Sequence, residues 1–472
     1  MSTTQIQNRQ TIIIYSIIIV VLFACIFPYA RWLEGVRQSK DLGEATIGEI
    51  DTGSFMLKLA LLGGARGVAA NVLWTRAIDQ QKVQEWDRLK ATVDLITKLQ
   101  PHFLAVWTFQ SWNLAYNVSV EWDAPEDKYT WIKEGIKFVQ KGVEKNRKSP
   151  DLIFDTASIY YHKLGFADEA IILRRLFRDD DDEAFKTDPI ESVVRNDNFQ
   201  LARGWFTRSV RLVDSGLTRV STELEAPVTY VDPPPQRKGR AGDLAFRSMP
   251  AHAQTRYAAG LEKQSIVGVP ATFGEVARNQ WSIALNEWLE FGRFRYLSHN
   301  EIERNGVRVH DPIFLDDATL PERYAKLNEN EKYWTSRWAD QMNYPYWKDR
   351  CLTEMEPQGV QARQLFYEGT KSYKAADYPD AGKKFKEGLD LWDDLLKRHT
   401  VYRNEDLNKS DTGLIVLRYT KALAALNEPI PDDMPFIDLL KAMGQQHNPD
   451  PFDALEMEVA PPATRTPSGG AP

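Results

Sequence analysis

Between Gly369 and Leu391 the chain reads GTKSYKAADYPDAGKKFKEGLDL, and the spacing of small and large residues there constrains the fold more than any other feature. Gly369, Ala381 and Gly388 are small where two helices would touch. Tyr373, Tyr378 and Phe385 are large where the space between helices must be filled. With 3.6 residues per helical turn, Ala381, Phe385 and Gly388 fall on one stripe. Ala376-Asp377-Tyr378 supplies the turn between the rods. The pattern predicts two antiparallel helices in contact over residues 363–397. A single pair of this kind cannot bury its own outer faces, so neighbouring helices must cover them.

The rest of the chain offers those neighbours. Apolar residues recur at three and four in Val83, Trp86 and Leu89, then Val93, Ile96 and Leu99, with Pro101 ending the run. Helical patterns follow over Phe103–Val120, Lys128–Lys145, Leu152–Phe177 and Phe199–Val220. Sustained period-two alternation is almost absent, so no sheet is expected. A second small–large pattern occupies Ala157, Tyr160, Gly165 and Ala170, with one extra residue before its turn and Arg174 where an aromatic is expected. Residues 225–270 gather prolines and glycines and are predicted to be a long irregular insertion. Thr272-Phe273-Gly274-Glu275 fits a capping box. Val276, Ala277, Trp281, Ala284, Leu285, Trp288 and Leu289 then form one apolar stripe. Of the 14 tryptophans, Trp107, Trp112, Trp281 and Trp288 lie on such stripes and are assigned to cores.

Thr11 to Ala30 contains no charge, and its twenty residues as a helix span about 30 Å, the thickness of a bilayer core. Tyr29 and Trp32 stand at its end, where aromatic rings favour the headgroup level. A transmembrane helix is expected there. The flanking charges, Arg9 before and Arg31, Arg37 and Lys40 after, place the bulk inside on a literal count. A short tail before a single span favours export, and on that layout the large domain faces the periplasm. The expected organisation is a tail and transmembrane helix over 1–32 and a connector over 33–53. A first helical repeat region over 54–224 precedes the insertion at 225–270, and a second helical region covers 271–444. A disordered tail is expected over 445–472.

Both small–large units resemble tetratricopeptide repeats, which implies an α-solenoid. The stretches LLGGARGVAANVLWTRAIDQQ, ITKLQPHFLAVWTFQSWNLAYNVSV and IYYHKLGF, followed by IILRRLFRDDDD, resemble membrane-anchored helical-repeat proteins of planctomycetes and related bacteria. That resemblance covers roughly residues 55–190 and carries no reaction, ligand or functional residue with it. The fold class expected is therefore all-α: an N-terminal membrane helix followed by a repeat solenoid with one irregular insertion.

Catalytic motifs are missing from the sequence. Cys25 and Cys351 are its only cysteines, which excludes zinc ribbons and CxxC redox chemistry. The seven histidines form no HExxH or other helix-spaced ligand pair. A net charge of −7 lacks the basic footprint of a nucleic-acid binder. Asp179, Asp180, Asp181, Asp182 and Glu183 form the densest charge run and are the one candidate cluster for a divalent cation. No glycine supplies the turn of a calcium loop there, and a solvated run is the simpler expectation. Arg237, Lys238 and Arg240 make a short basic patch suited to a docking loop. With no cofactor expected, the function expected is a membrane-anchored scaffold binding another protein or an envelope component in a bacterial cell envelope. The alternatives are a glycan hydrolase on an all-helical scaffold, which needs two facing carboxylates, and a metal-responsive membrane protein.

Overall fold

The computed structural model describes residues 65–187, 195–215 and 241–443. The apolar run at 11–30, the connector, the basic patch at 237–240 and the C-terminal tail lie outside the described residues. Helix dominates what is described, and no helix among the described residues is long and apolar enough to cross a membrane.

The chain divides into two compact units. In the first, residues 65–110 with 141–147, α1 (Ala65–Lys82) packs on α2 (Trp86–Leu99). Ala70, Ala77, Leu89, Val93 and Ile96 are buried as the periodicity requires. Val83 is 66% exposed, because it falls in the turn after α1 rather than on the stripe. Trp74 meets the rings of Phe103 and Phe109. A Cβ at Gly142 would lie 2.8 Å from Trp107, so this glycine is what lets the indole dock. The division between the units falls inside α3 (Leu104–Trp112) and α4 (Pro125–Lys145).

In the second unit the rods are less regular than their periodicity suggests. From Asn113 to Val118 the helix widens into a π-turn. The same happens beyond α5 (Pro150–Ser158), where Ile159–Lys163 forms a π-turn before Leu164–Phe166 closes the rod. A π-turn absorbs one surplus residue without ending a helix. The extra residue before the turn of the Ala157–Ala170 unit is accommodated in this way. α6 (Ala170–Asp179) and α7 (Asn198–Asp214) follow.

The segment expected to be irregular over 225–270 contains a regular helix instead. α8 (Ala241–Leu261) runs through Pro250 in its interior. Proline density marks interruptions of the hydrogen-bond ladder, not the absence of a rod that packing can hold in place. α8 lies between α7 and α9 (Glu275–Arg293). The capping box expected at Thr272 is not formed. Gly274 caps α9 at φ 72° without a side-chain bond, and the Thr272 amide donates to the carbonyl of Leu261 at 2.7 Å. Ala277, Trp281, Ala284, Leu285 and Trp288 are buried along α9, whereas Val276 is 54% exposed.

A two-stranded antiparallel hairpin, β1 (Tyr296–Arg304) and β2 (Val307–Ile313), departs from the all-helical expectation. Asn305 and Gly306 turn it with φ of 56° and 76°, the left-handed pair that tight hairpins require. Beyond it come α10 (Glu329–Gln341) and α11 (Tyr344–Glu354), with Pro345 in the first turn of α11, where its missing amide proton costs no helical bond. α12 (Pro357–Lys374), α13 (Tyr378–Leu396), α14 (Asp406–Ala425) and α15 (Ile437–Met443) complete the chain of neighbours. α12 pairs with α13, and α13 with α14. One continuous apolar core runs from Leu244 on α8 to Met434, through Trp281, Trp288, Phe385 and Trp392.

Candidate functional site

The residues chosen from the sequence fall at two helix–helix contacts. On α12 and α13, a Cβ at Gly369 would lie 2.9 Å from Cδ1 and Cε1 of Phe385, and one at Gly388 would lie 2.8 Å from Cε1 of Phe366. Each glycine receives a phenylalanine ring from the opposite rod. Ala381 and Phe385 are fully buried, and Tyr373 meets Tyr378 edge-on at 5.8 Å across the turn. In the Ala157–Ala170 pattern, Ala157 and Tyr160 are buried, and the Tyr160 hydroxyl donates to the carbonyl of Phe185 at 2.6 Å. A Cβ at Gly165 would lie 2.5 Å from Cε1 of Phe199, and Ala170 opens α6.

The acidic run is engaged by protein cations. Asp180 pairs with Lys133 at 2.7 Å and accepts from the Tyr129 hydroxyl at 2.7 Å. Asp182 pairs with Lys137 at 3.1 Å and accepts from the Phe185 amide at the start of a short helical turn. Asp179 lies 3.4 Å from Arg175. Among the described residues no group of three or more His, Cys, Asp or Glu could hold a metal ion. Trp107, Trp281 and Trp288 are buried, whereas Trp112 is 49% exposed and stacks on Tyr116.

A different set of residues surrounds the cavity with the most chemistry, which has a volume of about 620 Å³. One wall is a face of α12: Arg363, Phe366, Tyr367, Thr370, Lys371 and Lys374 recur at three and four. A second wall is a face of α14, from Asp411 through Leu414 and Ile415 to Arg418. The loop after α8 supplies Glu262, Lys263, Gln264, Val267 and Val269, and Ile171 adds an apolar edge. Gly268 turns this loop at φ 76°, where a side chain would be strained. The loop is tethered from α6. Arg174, 6% exposed, donates to the Ser265 carbonyl at 3.1 Å, pairs with Asp197 at 2.8 Å and lies over the Phe199 ring. The arginine that departs from the small–large pattern is therefore what positions the cavity loop.

Below the cavity lies a buried ionic cluster. Glu354 receives Arg363 through two bonds, at 2.6 and 3.0 Å, and the Tyr402 hydroxyl at 2.8 Å. Burial opposes the charge on Glu354, but Arg363 and Arg350 override it and hold its carboxyl below the usual range. Arg363 stacks over Trp392, and Arg350 sits among Trp281, Trp347 and Tyr402. Glu262 shares this cluster but is shifted in the opposite direction. Burial first, and then the neighbouring Glu354 carboxylate, push its pKa up to about 8. Both causes favour the uncharged acid at Glu262. Its Oε2 accepts from the Trp281 indole at 3.0 Å, while its Oε1 is buried without a hydrogen-bond partner among the described residues.

Sequence reasoning missed Glu262, Arg363, Asp411 and Arg418. The available signal was the regular insertion of cations between apolar residues on α12 and α14, a pattern also made by ordinary solvated faces. No family model and no curated protein matches the chain.

Proposed function

We propose that the chain is a helical-repeat scaffold that receives a segment of another protein at the cavity between α12, α14 and the loop after α8. The observation that carries this is the lining. Lys263, Lys371, Lys374 and Arg418, with Arg363 held on Glu354, stand against Asp411 and the acid Glu262, between apolar walls of Phe366, Leu414 and Ile415. Such a surface suits a segment that is acidic and aliphatic together. The paired helices α12 and α13 support a tetratricopeptide-like solenoid, whose stacked rods present surfaces of this kind. The uncharged run at 11–30 supports attachment to a membrane, in keeping with a scaffold of a bacterial cell envelope. The resemblance to membrane-anchored planctomycete proteins is consistent with that placement.

A photo-crosslinking residue at Tyr367, introduced in the native cell, tests the proposal. A discrete adduct is expected from Tyr367 and none from exposed Tyr333, which does not line the cavity. Its loss in the Lys371→Glu/Lys374→Glu double variant is also expected. Equal, diffuse labelling from both positions would refute cavity docking.

A hydrolase is the second reading, favoured by one observation: Glu262 and Asp411 line the same cavity, the first protonated and the second facing Lys263 at 3.8 Å. Carboxyls in opposite protonation states are what acid-assisted hydrolysis requires. Turnover of an envelope glycan that vanishes in Glu262→Gln would select it over the scaffold.

A further inference from the structure

The lining states what kind of group belongs at the floor of the cavity. Glu262 is 5% exposed, so the environment of its two oxygens is set by the protein. Oε2 accepts from the Trp281 indole and acts as the carbonyl oxygen of the acid, which leaves Oε1 as the hydroxyl. That oxygen has no acceptor among the described residues. A buried donor left unsatisfied is costly, and a correctly seated ligand recovers that cost. The charge balance points the same way. Arg350 of α11, Arg363 of α12 and Lys263 of the loop face the carboxylates Glu354 and Asp411. Arg350 and Arg363 answer Glu354 and Asp411, so with Glu262 neutral the positive excess comes from Lys263, whose pKa burial lowers against the pull of Asp411, and from Arg418 of α14 and Lys371 of α12 around the mouth. A neutral ligand would leave that excess unanswered. A bare inorganic anion would leave the apolar walls of Phe366, Leu414 and Ile415 unfilled.

We infer that the cavity takes a carboxylate carried on an aliphatic body, seated against Glu262 and the surrounding cations and supplied by a chain segment of the partner protein. The inference rests on the docking proposed above and names the chemistry of the docked group. A carboxylate accepts the Glu262 proton in a hydrogen bond, answers the excess charge and carries its apolar part onto the walls. Binding is thereby coupled to one proton. Above the pKa of Glu262 the acid becomes a second carboxylate facing the ligand, and affinity falls tenfold per pH unit in the limit.

Displacement of the fluorescent amphipathic anion 8-anilinonaphthalene-1-sulfonate from the full chain tests this, with decanoate as competitor below its micelle concentration. Decanoate is expected to displace the dye, and methyl decanoate and decyltrimethylammonium are not. The Lys371→Glu/Lys374→Glu variant changes only exposed positions, so it should fold and lose decanoate affinity about tenfold. Between pH 7 and 9 wild type should weaken about tenfold, while Glu262→Gln, whose amide still donates, should stay level. Equal displacement by the ester, or the same pH response in both chains, would overturn the inference. The same decanoate is then added to the Tyr367 crosslinking reaction. Competition with the adduct supports the peptide source. Displacement of the dye without competition overturns that source and assigns the site to a free amphiphile. An intact adduct with no dye displacement overturns the carboxylate inference while leaving the docking proposal standing, and absence of both removes both.

Discussion

Replacing Glu262 with glutamine is expected to stabilise the folded chain increasingly as pH rises. The acid has an ordinary pKa of 4.5 and is pushed up to about 8 in the fold, by burial and by Glu354. Between those values the native state keeps a proton that the unfolded chain has released. The native state therefore binds more protons, and stability falls with rising pH. This contribution is fully present below about pH 4.5 and is lost by the time pH passes about 8. At about 1.4 kcal/mol for each tenfold change in proton affinity, the loss is between about 3 and 4 kcal/mol at pH 7 and levels off at about 5 kcal/mol above pH 8, as upper bounds. Glutamine has the same shape, keeps an oxygen for the Trp281 indole at 3.0 Å and cannot ionise. Urea unfolding of wild type and variant should be followed in parallel from pH 5 to 8.5. The difference between the two cancels other titrating groups. It should be below about 1 kcal/mol at pH 5 and should widen to about 4 kcal/mol in favour of the variant by pH 7.5. A gap that does not change with pH, or one that favours wild type as pH rises, would refute the assignment of Glu262 as a buried acid.

The helix contact offers an internally controlled test. Gly369→Ala and Gly388→Ala should each destabilise by about 1–2 kcal/mol in urea unfolding, because the new methyl meets a ring at 2.9 or 2.8 Å. Gly382→Ala on the same rod meets nothing closer than 3.9 Å and should be neutral or stabilise by up to about 1 kcal/mol through helix propensity. His399 lies between Asp349 and Glu356 at 2.8 Å from each, and the bond to Asp349 leads in raising its pKa. Its stabilising contribution is full below the ordinary imidazole value and fades as pH rises through the folded one; imidazole NMR should show it titrating above 6.5. Cys351 is fully buried and its thiol is pushed up to about 12, so maleimide labelling of this residue, read by mass spectrometry, should require unfolding. Leucine at Arg174 should release the cavity loop, seen as faster amide exchange at Ser265 and Val269, because the bond to the Ser265 carbonyl is removed.

Several features are legible in the amino acids because they are local. The small residues Gly369 and Gly388 predict where rods touch, since only a missing side chain admits a ring that closely. The start of α11 beside Pro345 follows from the proline itself, which suits a first helical turn. The hairpin is legible too, in the Asn305-Gly306 pair flanked by Ile302 and Val307, although the dominant helical period obscures it. Other features depend on what lies opposite. Pro250 argues against a helix locally, yet α8 holds its shape between α7 and α9. Thr272 and Glu275 spell a capping box, but the amide of Thr272 is bonded to Leu261.

From its amino acids alone this chain declares rods, their stripes and the glycines at which they meet, because backbone periodicity and side-chain volume act within a few residues. Tertiary structure decided the cavity. Glu262, Arg363, Asp411 and Arg418 come from three separate segments, and whether a carboxyl there is an ion or an acid depends on the water removed and the charges brought near only when those segments pack.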